Sequence, residues 1–123
     1  MYNEKVIQAF ENPRNVGVVE NYNGIGTVGN ATCGDIMQIT IRVENDRIVD
    51  AKFKTFGCAA AVATSSTATS MVIGMTLDEA LQLTNKKVVD ALGGLPVQKL
   101  HCSVLAEEAI QKAIEDYKSK QNA

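Results

Sequence analysis

The run DIMQITIRVENDRIVDAKFKTF, residues 35–56, decides how this chain folds. From Met37 to Val43 the odd positions are apolar, while Gln38, Thr40 and Arg42 are polar. A period of two sends alternate side chains to opposite faces, so this stretch is a strand with one face on a core. Glu44-Asn45-Asp46-Arg47 reads as a turn. From Ile48 to Phe56, Val49, Ala51 and Phe53 alternate with Asp50, Lys52 and Lys54, which makes a second strand. The pair predicts an antiparallel hairpin turning near residue 45 or 46.

Toward the N-terminus, residues 3–10 suit a short helix with Val6, Ile7 and Phe10 on one side. Asn12-Pro13-Arg14-Asn15 ends it, because the residue before a proline is pushed out of the α region. Residues 16–29 are rich in glycine and β-branched side chains and predict one or two strands joined around Asn23-Gly24. Toward the C-terminus, small residues from Cys58 through Ser70 suit a helix lying close on a sheet, with Gly74 as its stop. Thr76-Leu77-Asp78-Glu79 is a capping box opening a short helix through Leu83. Another helix runs from Asn85 through Leu92, closed by Gly93-Gly94, and residues 95–99 are extended loop. Leu105, Ala109, Ala113, Ile114 and Tyr117 keep helical spacing, so a last helix runs from near Ser103 to about Lys118. The order predicts an α+β fold, a small antiparallel three-stranded sheet with helices packed on one face.

The chain has 123 residues, 46% of them apolar, and a net charge of −2, which is enough chain for a single domain spanning 1–123. Near-neutral charge leaves no electrostatic footprint for nucleic acid. No apolar run approaches the ~20 residues of a membrane span, and Met1-Tyr2-Asn3-Glu4-Lys5 lacks the plan of an export signal. Three cysteines without such a signal argue against a disulfide framework and for free thiols in a reducing, cytoplasmic compartment.

Those cysteines sit at three boundaries. Cys33, in Ala31-Thr32-Cys33-Gly34-Asp35, precedes the first hairpin strand, Cys58 follows the second, and Cys102 follows His101 at the start of the last helix. A single cysteine is more often buried filler than ligand. Here, however, all three stand at element ends beside glycine, polar or charged residues. The hairpin brings the ends carrying Cys33 and Cys58 side by side, and Cys102 completes a cluster if its helix packs on the same sheet. In an extended segment Cys33 and Asp35 point the same way, and a cysteine at a helix N-terminus has a stabilised thiolate. Three thiolates plus Asp35 or His101 suit Zn²⁺ or a [2Fe–2S] unit, and the residue types alone do not separate the two. His101 and Cys102 are neighbours on a helix, so Asp35, His101 and one cysteine could exchange as ligands.

The sequence resembles the NifU/IscU iron–sulfur cluster scaffold family over nearly its whole length. The resemblance is carried by Glu11-Asn12-Pro13-Arg14-Asn15-Val16-Gly17, by Cys33-Gly34-Asp35, by Phe53-Lys54-Thr55-Phe56-Gly57-Cys58 and by Lys99-Leu100-His101-Cys102-Ser103-Val104-Leu105-Ala106-Glu107, in that order. It implies a scaffold rather than a conventional enzyme. A pyridoxal-phosphate-dependent cysteine desulfurase supplies persulfide sulfur, Fe²⁺ joins it, and the [2Fe–2S] cluster passes to apo iron–sulfur proteins. The implied ligands are Cys33, Cys58 and Cys102, with His101 or Asp35 as the fourth, and Cys102 as the sulfur acceptor. Lys99 lies close by in sequence and would favour the thiolate. Carboxylate is a harder, weaker partner for cluster iron than thiolate, so Asp35 is expected to keep the cluster transferable. The same residues would accept Zn²⁺ in the isolated protein, and the expected assembly is a monomer or weak homo-oligomer.

Leu95-Pro96-Val97-Gln98-Lys99 departs from the family's Leu-Pro-Pro-Val-Lys at the second proline and the valine, so the Hsp70-type chaperone that grips that loop is not carried over. The chain has His101 and no insertion between Cys58 and Cys102, which places it on the scaffold side of the family rather than with the zinc-dependent sulfur acceptors. It ends after what corresponds to the first domain of NifU. A zinc-stabilised sulfurtransferase relay is the competing reading. A metal-free thiol enzyme using Cys102 with His101 is a third, weakened because adjacent residues at a helix start rarely face each other and no partner orients the histidine.

Overall fold

The computed structural model describes residues 4–30, 35–56, 59–83, 85–94 and 100–121. Its elements run α1 (Glu4–Glu11), β1 (Gly24–Asn30), β2 (Asp35–Glu44), β3 (Arg47–Phe56), α2 (Ala59–Val72), α3 (Leu77–Leu81), α4 (Asn85–Ala91) and α5 (Leu100–Gln121). The strands form an antiparallel sheet in the order β1-β2-β3. The expected α+β plan holds.

The hairpin forms as its pattern requires. Asn45 and Asp46 both have positive φ, 54° and 60°. That is the two-residue turn whose twist matches antiparallel strands. Met37, Ile39, Ile41 and Val43 are buried on the inner face, opposite Phe53 and Ala51 of β3. One expectation fails at Val49, which is exposed while Ile48 is fully buried. The register steps from Arg42↔Asp50 to Val43↔Ile48, leaving Val49 without a partner. This is a β-bulge, and the extra residue turns Ile48 inward where strict alternation would have turned it out.

α2 and α5 cover the inner face. Ala61, Ala68 and Val72 of α2 and Leu105, Ala109, Ile110, Ala113 and Ile114 of α5 join the strand residues in one core. The buried hydroxyls of α2 bond inside their own helix, Ser65 donating to the Ala61 carbonyl at 2.7 Å and Thr69 to the Ser65 carbonyl at 2.7 Å. Buried polar groups with such partners carry little penalty. Thr76 and Glu79 form the expected capping box, and Gly74, Gly93 and Gly94 have the positive φ that helix stops use.

α1 docks on α2 with Val6 and Ala9 turned in, against Ala63 and Leu92. Ile7 and Phe10, expected beside Val6, are exposed instead. The small Ala9 allows a closer approach than Phe10 would. α5 begins at Leu100, earlier than the apolar spacing from Leu105 implied, so His101 and Cys102 fall inside its first turn. The expected extended loop at 95–99 lies outside the described residues.

The segment expected to hold one or two strands holds one, β1, with Asn23-Gly24 as its lead-in rather than a turn. Residues 15–23 form a strap. The Asn15 carbonyl accepts from the Phe53 N–H, and the Gly17 N–H donates to the Phe53 carbonyl, both at 2.8 Å, on the free edge of β3. The Val19 N–H donates to the Thr40 hydroxyl at 2.9 Å. Thr40 alternates with Ile39 and Ile41, so it points from the outer face, and the strap buries it. The Arg42 guanidinium donates to the Asn21 carbonyl, and the Asn23 amide brackets Val43 through its N–H and its C=O. The chain thus travels from the β3 edge across the middle strand to the β1 edge. No described helix is long and apolar enough to cross a membrane.

Candidate functional site

β1 carries Gly24 and Gly26, two residues apart and therefore on one face. A Cβ on Gly24 would meet the Ala113 carbonyl oxygen at 2.6 Å, and one on Gly26 would strike the Ala109 carbonyl oxygen and the Ala113 nitrogen. The glycines let the α5 backbone lie directly on the strand. They also fix its direction: as β1 advances from Gly24 to Gly26, its neighbours on α5 retreat from Ala113 to Ala109. From Gly26 to Asn30 the strand advances ~13 Å, and from Ala109 back to Leu100 the helix covers ~13.5 Å. The end of β1 and the start of α5 therefore lie at the same end of the sheet.

That end gathers the other boundaries. Asn30 pairs with Asp35, so β1 ends where β2 begins. Ile36 pairs with Phe56, so β3 ends there too, and α2 begins three residues further on. Four element ends converge, and the sequence places every candidate ligand between or within them. Asp35 is the first residue of β2, and His101 and Cys102 are the second and third of α5, each described through its backbone. Cys33, between Asn30 and Asp35, and Cys58, between Phe56 and Ala59, lie outside the described residues. Among the described residues no three His, Cys, Asp or Glu side chains converge as a metal site.

The far end of α5 is fixed by charge. Asp116 Oδ2 accepts the edge-facing N–H of Ile25 at 3.0 Å and the Lys120 ammonium at 3.0 Å. The Lys120 hydrogen bond holds the Asp116 carboxyl below the usual aspartate range against the opposing cost of burial, with the Ile25 N–H and the Lys120 charge adding to the lowering. Lys120 also stands 5.8 Å over the Tyr22 ring, tying strap and helix together.

Sequence reasoning missed one feature of the ligand-bearing end. Phe56 is 80% exposed and its cross-strand partner Ile36 is 50% exposed. Both fall on the outer face, Ile36 in step with Gln38 and Phe56 in step with Lys54 and Lys52. An aromatic on the polar side of a strand is the signal that could have found it.

The sequence and the fold are similar to those of known proteins. The chain is 59% identical over 117 residues to the iron–sulfur cluster assembly scaffold protein IscU 1 of Archaeoglobus fulgidus, covering 95% of this chain and 76% of that one. It is 55% identical over 122 residues to the scaffold protein IscU of Aquifex aeolicus, covering 98% and 78%. The N-terminal region of a nitrogen-fixing NifU-like protein from Brucella abortus has the same fold, with a TM-score of 0.78 at 19% identity over 96% of this chain and 94% of that one. All of residues 1–123 match the NifU-like N-terminal domain, and this chain belongs to that family.

Proposed function

We propose that this protein is a scaffold on which an iron–sulfur cluster is assembled and from which it is passed on. The observation that carries the reading is the convergence of the ends of β1 and β3 with the starts of β2 and α5, the boundaries where the sequence carries Cys33, Asp35, Cys58, His101 and Cys102. The relatives named as cluster assembly scaffolds support it.

The cargo is a [2Fe–2S] cluster. Cys33, Cys58 and Cys102 supply thiolates, and Asp35 or His101 fills the fourth position. Successive residues of a helix point ~100° apart, so Cys102 and His101 are suited to serve in turn rather than together. Cys102 takes sulfur from a cysteine desulfurase: its thiolate attacks the terminal sulfur of the donor's persulfide, the donor leaves as a thiolate, and Cys102 is left as the persulfide. Such a partner needs a surface beside the ligands, and the exposed pair Ile36 and Phe56 offers an apolar one. The completed cluster then goes to apo iron–sulfur proteins. Zn²⁺ fits the same donors and would occupy them when iron and sulfur are lacking.

The test is anaerobic purification with metal analysis, then incubation with Fe²⁺, cysteine and a desulfurase. Visible absorption of a [2Fe–2S] cluster is expected, lost on replacing any one cysteine with serine. A colourless protein that keeps one zinc and accepts persulfide would instead make it a sulfur relay. Asp35→Ala should assemble a cluster that moves to an apo-ferredoxin more slowly, and transfer at the original rate or faster would remove Asp35 from the releasing role.

A further inference from the structure

Away from the converging ends, α1, α2 and α4 enclose a cleft of about 480 Å³. One face of α1 lines it with Lys5 and Gln8, and Asn12 and Arg14 follow from the loop after that helix. α2 faces them with Ser66, Thr67 and Ser70. No carboxylate is among the described lining residues, although Glu4 and Glu11 belong to α1 and Asp90 to α4. Two cations in a chain of net charge −2 thus face one cavity without a counter-charge in its wall. Neither the Lys5 ammonium nor the Arg14 guanidinium forms an ion pair among the described residues.

The hydroxyls are set up as donors. Ser66 Oγ accepts the main-chain N–H of Arg14 at 2.8 Å. Ser70 Oγ accepts the Asn15 amide at 3.1 Å, and the same amide bonds Thr69 Oγ1 at 3.1 Å. Those bonds use acceptor lone pairs and leave the Ser66 and Ser70 O–H hydrogens to be donated. They also pin the loop carrying Arg14, which the strap holds from its other side through Asn15 and Phe53. A wall with a surplus of donors and two cations that form no ion pair among the described residues is the chemistry of an oxyanion site.

We propose that this cleft binds a phosphoryl group, held by the Arg14 guanidinium and the Lys5 ammonium and by the hydroxyls of Ser66, Thr67 and Ser70. The site is separate from the cysteine-bearing end and does not rest on the scaffold reading. Its ligand is free phosphate or the phosphoryl end of a small metabolite.

The experiment is an amide-resolved NMR titration of the full chain with inorganic phosphate, with pyrophosphate and with citrate, at constant ionic strength. Saturable shifts of the Arg14, Ser66 and Ser70 amides are expected with both phosphate probes. Arg14→Gln and Lys5→Gln should each weaken binding about tenfold, Arg14→Lys should restore part of it, and Lys118→Gln should bind as the parent does. Tighter binding of pyrophosphate points to a phosphate ester or anhydride, and equal binding to free phosphate; both support the site. Non-saturating shifts, shifts undiminished in Arg14→Gln, or citrate binding as tightly as the phosphate probes would overturn it.

Discussion

Asp116 is a surface carboxylate with a specific task. Its Oδ2 takes the N–H of Ile25, on the edge of β1 that no other strand covers. Its folded-state pKa is depressed by the Lys120 hydrogen bond and the Ile25 N–H. A depressed carboxylate stabilises the fold above its unfolded pKa of about 3.9, and that share is lost as pH falls through the lower folded value. Asp116 is about one-third exposed, so solvent screening reduces the share. Asp116→Asn should therefore cost about 0.5–1 kcal/mol at neutral pH in a urea melt, with the difference from the parent shrinking toward pH 2. Equal stability of the two proteins at neutral pH would mean that the carboxylate does not hold the edge. At this scale the sequence names candidates where chemistry is written in residue type: the three cysteines, Asp35 and His101 stand out from residue names alone. Phe56 and Ile36 carried a fainter signal, an apolar side chain in the polar phase of each strand. Arg14 and Ser66 carried none, since the 52 residues separating them hide their contact.

Between elements, the decisive packing is β1 on α5. Gly24 and Gly26 leave no gap between strand and helix backbone, and the direction they impose brings the start of α5 to the ends of the strands. Gly26→Ala should destabilise by at least about 1–3 kcal/mol, because the added methyl meets backbone that cannot rotate away. Thermal or denaturant unfolding measures it, and a neutral result would show that α5 can lift off β1 without cost. The hairpin was readable because its alternation is local. The bulge at Val49 was not, since one inserted residue leaves an equally good period-two pattern in the wrong phase. Residues 16–29 read as one or two strands because they are rich in glycine and β-branched residues, yet in the strap over 15–23 only Val16 bridges, and only to one edge residue. Its bonds go mainly to Thr40, Phe53 and Val43, distant partners that no local period encodes. The early start of α5 escaped for the converse reason: a helix's first turn follows from the turns behind it, and Leu100 to Ser103 carry no apolar stripe of their own.

Across the whole molecule, the candidate ligands stand at element boundaries in the sequence. A site spread over the junctions of β1 with β2, of β3 with α2, and on α5 is a cross-link between elements distant in sequence. Filling it should raise stability in proportion to how tightly it is held, by about 2.7 kcal/mol when free metal stands at 100 times its dissociation constant. Zn²⁺ should therefore raise the melting temperature and a chelator should lower it, with serine at Cys33, Cys58 and Cys102 together removing the response. A melt indifferent to chelator would separate the fold from its cargo.

The strap has one more consequence. A three-stranded sheet has two open borders, and each invites another chain to add a strand by β-augmentation. Here residues 15–17 occupy the backbone of Phe53 on one border, and Asp116 takes the Ile25 N–H on the other. A visiting polypeptide therefore finds no continuous ladder to extend on either side. Strand exchange is thereby blocked at both borders, and the apolar surface left open, Ile36 with Phe56, lies at the end of the sheet instead of along its sides.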